Sequence, residues 1–325
     1  MQFWKMKKQP NITAKSIREA RERIDHMVHY TPVLHSEAIS KVAGCDLVFK
    51  CENFQKVGAF KARGAANAVL KMSPEERRKG VATHSSGNHA AALARAAQVA
   101  NIPSYIVMPS SAPQVKRNAV EGYGGIVIEC EPNLKAREEG LKAVVNQYGA
   151  TFIPPYDHID VVEGQATCAL ELLETYRSLD FLIAPVGGGG LLAGTALATK
   201  FYSPNTKIIG AEPEGANDAK MSFEAGYRIP VQTPNTIADG LLTSLGKLNF
   251  EIIFKNVDYI LTVSDQEIIS AMRLIYERMK IVIEPSSAVP LAVVLKNKNL
   301  FANQNVGIIL SGGNVDLAGL PFKSS

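Results

Sequence analysis

The stretch Ala59-Phe60-Lys61-Ala62-Arg63-Gly64-Ala65 sets a lysine at the start of a helix behind a turn. An ammonium desolvated at a helix N-terminus is destabilised as a cation, so its amine can attack a carbonyl. A single lysine is more often a solvated surface group, so the reading depends on its companions. Thr83-His84-Ser85-Ser86-Gly87-Asn88-His89 opens a helix after a strand. Helix-start amides with two hydroxyls suit a carboxylate, although an ordinary helix cap would use the same residues. Gly187-Gly188-Gly189-Gly190 joins a strand to a helix, and four residues without Cβ let backbone N–H groups converge on a phosphate. A P-loop is excluded because no Gly-Lys-Ser/Thr follows. Gly188, Gly190 and Ala193 do satisfy G-x-G-x-x-A, and Glu212 ends a later strand about where a ribose acid belongs. A nicotinamide-dependent oxidoreductase therefore competes with the reading that joins all three loops, which is pyridoxal phosphate chemistry. A non-enzymatic binding protein is the third class.

These loops need elements that bring them to one surface. The chain has 325 residues, enough for two domains, with 46% apolar and 20% charged residues. Its net charge of +4 comes from interspersed acids and bases, which gives no block to attract nucleic acid or membrane. The uncharged stretch 181–199 contains Pro185 and the four glycines, so it reads as strand, loop and helix rather than as a membrane span. Lys5, Lys7 and Lys8 precede no apolar run, which argues against a secretory leader and for the cytoplasm. Cys45, Cys51, Cys130 and Cys168 show no metal spacing and read as reduced thiols. Apolar periodicity predicts strands at 46–50, 80–83, 105–108, 126–129, 181–186, 207–211, 259–263 and 306–310. Helices are predicted at 88–100, 113–122, 133–146, 164–175 and 191–200. Ser73-Pro74-Glu75-Glu76 and Ser264 with Glu267 are further helix starts. This alternation predicts two parallel-sheet α/β domains with a cleft between them, and Ile153-Pro154-Pro155-Tyr156 as a crossover.

Four motifs then resemble, in order and at family spacing, the fold type II pyridoxal phosphate enzymes. They are Ala59–Ala65, Ser85-Ser86-Gly87-Asn88-His89, the tetraglycine, and Ser311-Gly312-Gly313-Asn314. Nearly the whole chain is similar to the serine racemase and serine/threonine dehydratase group. The resemblance implies a tryptophan synthase β-like fold of two three-layer αβα domains with the active site in the cleft. Residues 1–70 and 157–325 would form the large domain and 71–156 the small one. It implies that Lys61 bonds the cofactor aldehyde, Phe60 lies beside the ring, Asn88 bonds the ring hydroxyl, Gly187, Gly188, Gly189 and Gly190 hold the phosphate, and Ser311 meets the pyridine nitrogen. Ser85, Ser86, Asn88 and the His89 amide would bind the substrate carboxylate, with Arg137 and Thr243 near the substrate.

The activity so implied is α,β-elimination of L-serine and L-threonine to a keto acid and ammonia, by a lyase of the ammonia-lyase class. Lys61 would remove the Cα proton, and Ser86 would serve the opposite face in serine racemisation. The close alternative is 3-hydroxyaspartate, because relatives sharing the stretches 52–61 and 152–158 prefer it. His89-Ala90 departs from the sulfhydrylase loop, and an end at Ser325 leaves no room for a regulatory domain. The resemblance also implies a divalent-metal loop for Mg2+ or Ca2+, with Glu212, the Ala216 carbonyl and Asp218 as ligands, where a solvated acidic turn is the plain reading. It further implies a homodimer with ATP at its interface near Ser36, Lys56, Tyr123 and Asn314.

Overall fold

The computed structural model describes residues 11–230 and 233–322, so Lys5, Lys7, Lys8 and Ser325 lie outside the described residues. The strands are β1 (Val33–His35), β2 (Asp46–Cys51), β3 (Val81–His84), β4 (Ser104–Pro109), β5 (Ile126–Cys130), β6 (Thr151–Phe152), β7 (Phe181–Pro185), β8 (Lys207–Pro213), β9 (Tyr259–Val263) and β10 (Asn305–Leu310). Helices α1 (Ala14–Ile24), α2 (Glu37–Ala43), α3 (Lys61–Lys71), α4 (Pro74–Lys79), α5 (Asn88–Val99), α6 (Gln114–Gly122) and α7 (Leu134–Tyr148) occupy the first half. They are followed by α8 (Ile159–Thr175), α9 (Gly190–Tyr202), α10 (Asp218–Ala225), α11 (Lys247–Asn256), α12 (Asp265–Met279), α13 (Pro285–Lys296) and α14 (Lys298–Phe301).

Two sheets result, ordered β1-β2-β10-β7-β8-β9 and β5-β4-β3-β6. Successive side chains of a strand point to opposite faces, so a strand covered on both faces must be apolar throughout. In the larger sheet Leu47, Phe49, Ile183 and Ile308 join α2, α12 and α13 in one core. Their neighbours Val48, Leu182, Ala184 and Ile309 join α1, α8 and α9 in the other. The smaller sheet repeats this, with Val81 and Ile106 toward α3 and α5, and Ala82 and Val107 toward α7. Both are three-layer sandwiches. All pairings are parallel except β1 with β2, so the large sheet is mixed rather than wholly parallel. Among the described residues, no helix is long and apolar enough to cross a membrane.

The capping box expected of Ser264 with Glu267 forms, and the expected Ser73 N-cap with Pro74 at the first helical position also closes a capping box with Glu76. Other boundaries differ for physical reasons. Helix α8 starts at Ile159 rather than near Gly164, because Gly164 is an interior contact: a Cβ there would lie 2.6 Å from the Arg63 carbonyl on α3. Helix α13 escapes periodicity analysis because Ser286 through Val294 are buried on all sides.

Helix α3 is anchored by charge as well as by packing. Buried Arg63 bonds Glu52 and Glu171, at 2.7 Å to each, and Glu171 also takes Lys50 at 2.7 Å. Burial alone would raise the Glu52 carboxyl and lower the Arg63 guanidinium; their attraction reverses both directions.

Candidate active site

The functional loops emerge at the carboxyl ends of parallel strands, where α/β proteins collect their ligands. After β10, the Ser311 carbonyl accepts the Phe60 N–H at 3.0 Å, Ala59 bridges Gly312, and Gly313 donates to Gly58 at 2.9 Å. The Lys61 loop is thereby stitched to the Ser311 loop. Lys61 is part-buried, and its Nζ donates to the Pro155 carbonyl at 2.6 Å. It lies 5.1 Å from the centre of the Phe60 ring and 5.9 Å from that of Tyr156. Burial pulls its pKa down to about 8 against the opposing pull of Glu284.

Glu284, at the residue before α13, is buried, and burial raises its pKa to about 7. Asn88 Nδ2 donates to both of its oxygens, at 3.2 and 3.0 Å, while Asn88 Oδ1 accepts from Asn314 at 2.9 Å. The orientation of Asn88 is thus fixed from both sides. The Ser311 hydroxyl is 3.1 Å from that of Ser287, which also bonds the Gly312 carbonyl.

The tetraglycine follows β7 and starts α9, with Gly189 as N-cap at φ 88° and no side chain capping the helix. A positive φ favours glycine there. A Cβ on Gly188 would sit 2.3 Å from the Tyr156 ring, so only glycine lets the ring lie against the loop. Asn249 holds both partners through the Tyr156 and Gly188 carbonyls. Helix α5 likewise starts at Gly87 without a side-chain cap, and the Ser85 hydroxyl accepts the Gly87 N–H at 3.4 Å. Two uncapped helix starts, one amine with a lowered pKa and a cradle made of glycine fit a phosphorylated aldehyde.

The remaining residues are less gathered. Arg137 stands on α7, its Nε buried without a hydrogen-bond partner, and its charge acts on His84 and Cys130. Exposed Thr243 meets the Tyr156 phenol. The carboxylate of Glu212 faces α10 instead of the tetraglycine, accepting the Ala219 and Lys220 amides at 2.8 and 2.9 Å. That removes it as a ribose acid. Asp218 Oδ2 accepts the Leu245 amide, whereas Oδ1 is buried and unpartnered. Burial raises Asp218 to about 6 and Glu212 well above its usual value. Those two carboxyls fit a cation, although among the described residues no group of three or more His, Cys, Asp and Glu side chains does. Ser36 caps α2 and Asn314 bonds Val57 and Asn88, and no hydrogen bond joins Ser36, Lys56, Tyr123 and Asn314 to one another. All four cysteines are free.

Sequence reasoning missed Glu284, Ser287, Tyr156 and Asn249. Glu284-Pro285 at a helix start was a legible cue for the first; the others gain meaning only through contacts.

Residues 24–312 match the family described as pyridoxal-phosphate dependent enzyme. The chain is 48% identical to a beta-hydroxyaspartate dehydratase of Paracoccus denitrificans, over 96% of this chain and 99% of that one. It is 49% identical to the serine racemase of Dictyostelium discoideum, over 97% and 98% of the two chains. The crystal structure of that racemase superposes with a TM-score of 0.90, covering 94% and 99%. A threonine deaminase from T.th. gives a TM-score of 0.90 at 41% identity, covering 94% and 99%.

Proposed function

The chain belongs to the pyridoxal-phosphate dependent enzyme family, and we propose that it is a serine/threonine ammonia-lyase that also racemises serine. The observation that carries this reading is the Lys61 amine, held at Pro155 with a pKa near 8 beside Asn88, Glu284 and the Ser311 loop. Pyridoxal phosphate, when bonded to an amino acid, withdraws electrons from Cα, which acidifies its proton and lets a β-hydroxyl leave. Lys61 carries the cofactor and, once free, moves the Cα proton at Nζ; a lowered pKa keeps a useful fraction of the amine neutral. Gly187 to Gly190 and the start of α9 hold the phosphate, Phe60 packs beside the ring, and Asn88 bonds the ring hydroxyl. Ser311 offers the pyridine nitrogen a neutral hydroxyl, which stabilises ring charge less than a carboxylate would and so favours elimination. Ser85, Ser86, Asn88 and the His89 amide bind the substrate carboxylate, and Ser86 moves the proton on the face opposite Lys61.

Dehydration of 3-hydroxyaspartate is the second reading. It is favoured by Arg137, a cation whose buried Nε has no hydrogen-bond partner and whose charge suits a second carboxylate, and by the Paracoccus relative. Arg137 and Thr243 border the substrate in both readings.

Glu212, the Ala216 carbonyl and Asp218 hold Mg2+ or Ca2+ in this proposal, supported by the unpartnered Asp218 Oδ1. The large domain is 1–70 with 157–325 and the small domain 71–156. What supports this division is that one sheet draws its strands from 33–51 and 181–310 and the other from 81–152. A cytoplasmic homodimer with ATP near Ser36, Lys56, Tyr123 and Asn314 completes the proposal, on the group resemblance alone. The test is product analysis on L-serine, D-serine, L-threonine and 3-hydroxyaspartate, resolving keto acid, ammonia and enantiomers. Keto acid from serine and threonine with some D-serine supports the first reading. Turnover of 3-hydroxyaspartate alone replaces it with the second, and a borohydride-trapped cofactor that persists in Lys61→Ala rejects Lys61.

A further inference from the structure

We infer that the His89 side chain is a positioning residue for Lys61: its ring holds the Ile153 carbonyl and so fixes the two-proline segment whose last carbonyl receives the lysine amine. The segment Ile153-Pro154-Pro155 leaves β6 and passes Lys61 on its way to α8. Neither proline has an N–H, so hydrogen bonds can hold this stretch only through its carbonyls or at its ends. Upstream, the Ile153 N–H donates to the Ala82 carbonyl at 2.9 Å, and the Ile153 carbonyl lies 3.0 Å from His89 Nε2. Downstream, the Tyr156 carbonyl accepts from Asn249, which also grips the tetraglycine. Between these two side-chain clamps, the Pro155 carbonyl takes Lys61 Nζ at 2.6 Å. His89 therefore acts on Lys61 through two peptide units and not by touching it.

The chemistry of the ring supports this role over a charge effect. A carbonyl oxygen can only accept, so Nε2 bears the proton and Nδ1 is a lone pair, buried without a hydrogen-bond partner. Burial and the nearby Lys61 charge push the imidazole pKa down to about 3, so the ring is neutral at any working pH. Replacing it removes a donor without removing a charge. The titratable groups facing the Lys61 amine are Glu284, whose pKa is raised to about 7, His89 and the Tyr156 phenol, with His84, its pKa lowered by burial, beyond His89.

The inference rests on Lys61 as the cofactor-bearing amine, but its test uses the apoprotein and is read independently of that role. Competitive acetylation of the apoprotein across pH, followed by peptide mass spectrometry, gives the titration midpoint of Lys61. His89→Leu should raise that midpoint by about one pH unit, because an amine freed from Pro155 moves toward cleft water and recovers hydration. His89→Gln, which keeps an amide donor, should restore it. Pro155→Ala is the second variant: it leaves His89 intact, adds an N–H and loosens the segment, and should raise the midpoint in the same direction. In the holoenzyme the acidic limb of the kcat profile, where the Lys61 base is lost to protonation, should move with these midpoints. An unchanged Lys61 midpoint in whichever of His89→Leu and Pro155→Ala folds, with only the melting temperature altered, overturns the inference. Equal shifts in His89→Leu and His89→Gln overturn the hydrogen-bond argument. Failure of Lys61 itself to bond the cofactor would show instead in borohydride trapping.

Discussion

Replacing Lys61 by methionine should make the apoprotein more stable, and the gain should shrink as the pH rises. The side chain keeps its length but loses a charge that the fold holds poorly. A fall of pKa from 10.5 to about 8 corresponds to about 3 kcal/mol at roughly 1.4 kcal/mol per pH unit. Lys61 is part-buried, and cleft water screens some of this, which brings the penalty to about 2–3 kcal/mol at pH 7. The folded pKa lies below the unfolded one. Between about pH 8 and 10.5 the unfolded chain therefore holds a proton that the folded chain has released, and wild-type stability rises with pH through that window. Methionine cannot donate to the Pro155 carbonyl, and that loss costs about 1 kcal/mol at every pH. The variant should thus lead by about 1–2 kcal/mol at pH 7 and by close to nothing at pH 9.5. Loss of the ammonium also deprives Glu284 of a nearby cation, which acts in the same direction as that carboxyl ionises. Urea denaturation of the two apoproteins at both pH values measures the gap. A gap that stays constant or widens with pH would refute the claim that Lys61 is held as a destabilised cation. With the cofactor bound to the wild type the order should reverse.

Arg63→Met leaves Glu52 and Glu171 buried without their shared guanidinium and should cost about 3–5 kcal/mol in urea unfolding, and a loss below about 1 kcal/mol would mean that the network is not the anchor of α3. Ser86→Ala should abolish D-serine formation and D-serine dehydration while leaving measurable L-serine dehydration, because elimination needs no proton on the second face of Cα. Equal loss of both activities would assign Ser86 to carboxylate binding alone. Chelation should lower the melting temperature and Mg2+ or Ca2+ should restore it, because removing a cation leaves two buried carboxyls facing each other; indifference of the melting temperature to chelator, with no metal by elemental analysis, would remove Glu212 and Asp218 as ligands.

What the sequence determined by itself was whatever a short window of chain can encode. Strand β9 and helix α12 follow from local alternation and from Ser264 with Glu267, and the positions of buried β7 and β10 follow from apolar runs of strand length. The three loops were legible for the same reason, since Lys61, the tetraglycine and Asn88 each sit within a few residues of the turn or helix start that gives them their chemistry. Tertiary structure decided what depends on partners distant in sequence. Glu284 is an ordinary acid before a proline until folding buries it against the side-chain amide of Asn88, 196 residues away along the chain. Gly164 reads as a helix start until α3 presses against it, and α13 has no polar face to set a period because both its sides are covered. The Lys61 pKa belongs to this second group. A lysine at a helix start is a local fact, but the desolvation that lowers its pKa comes from the Pro155 segment, Tyr156 and the Ser311 loop closing around it.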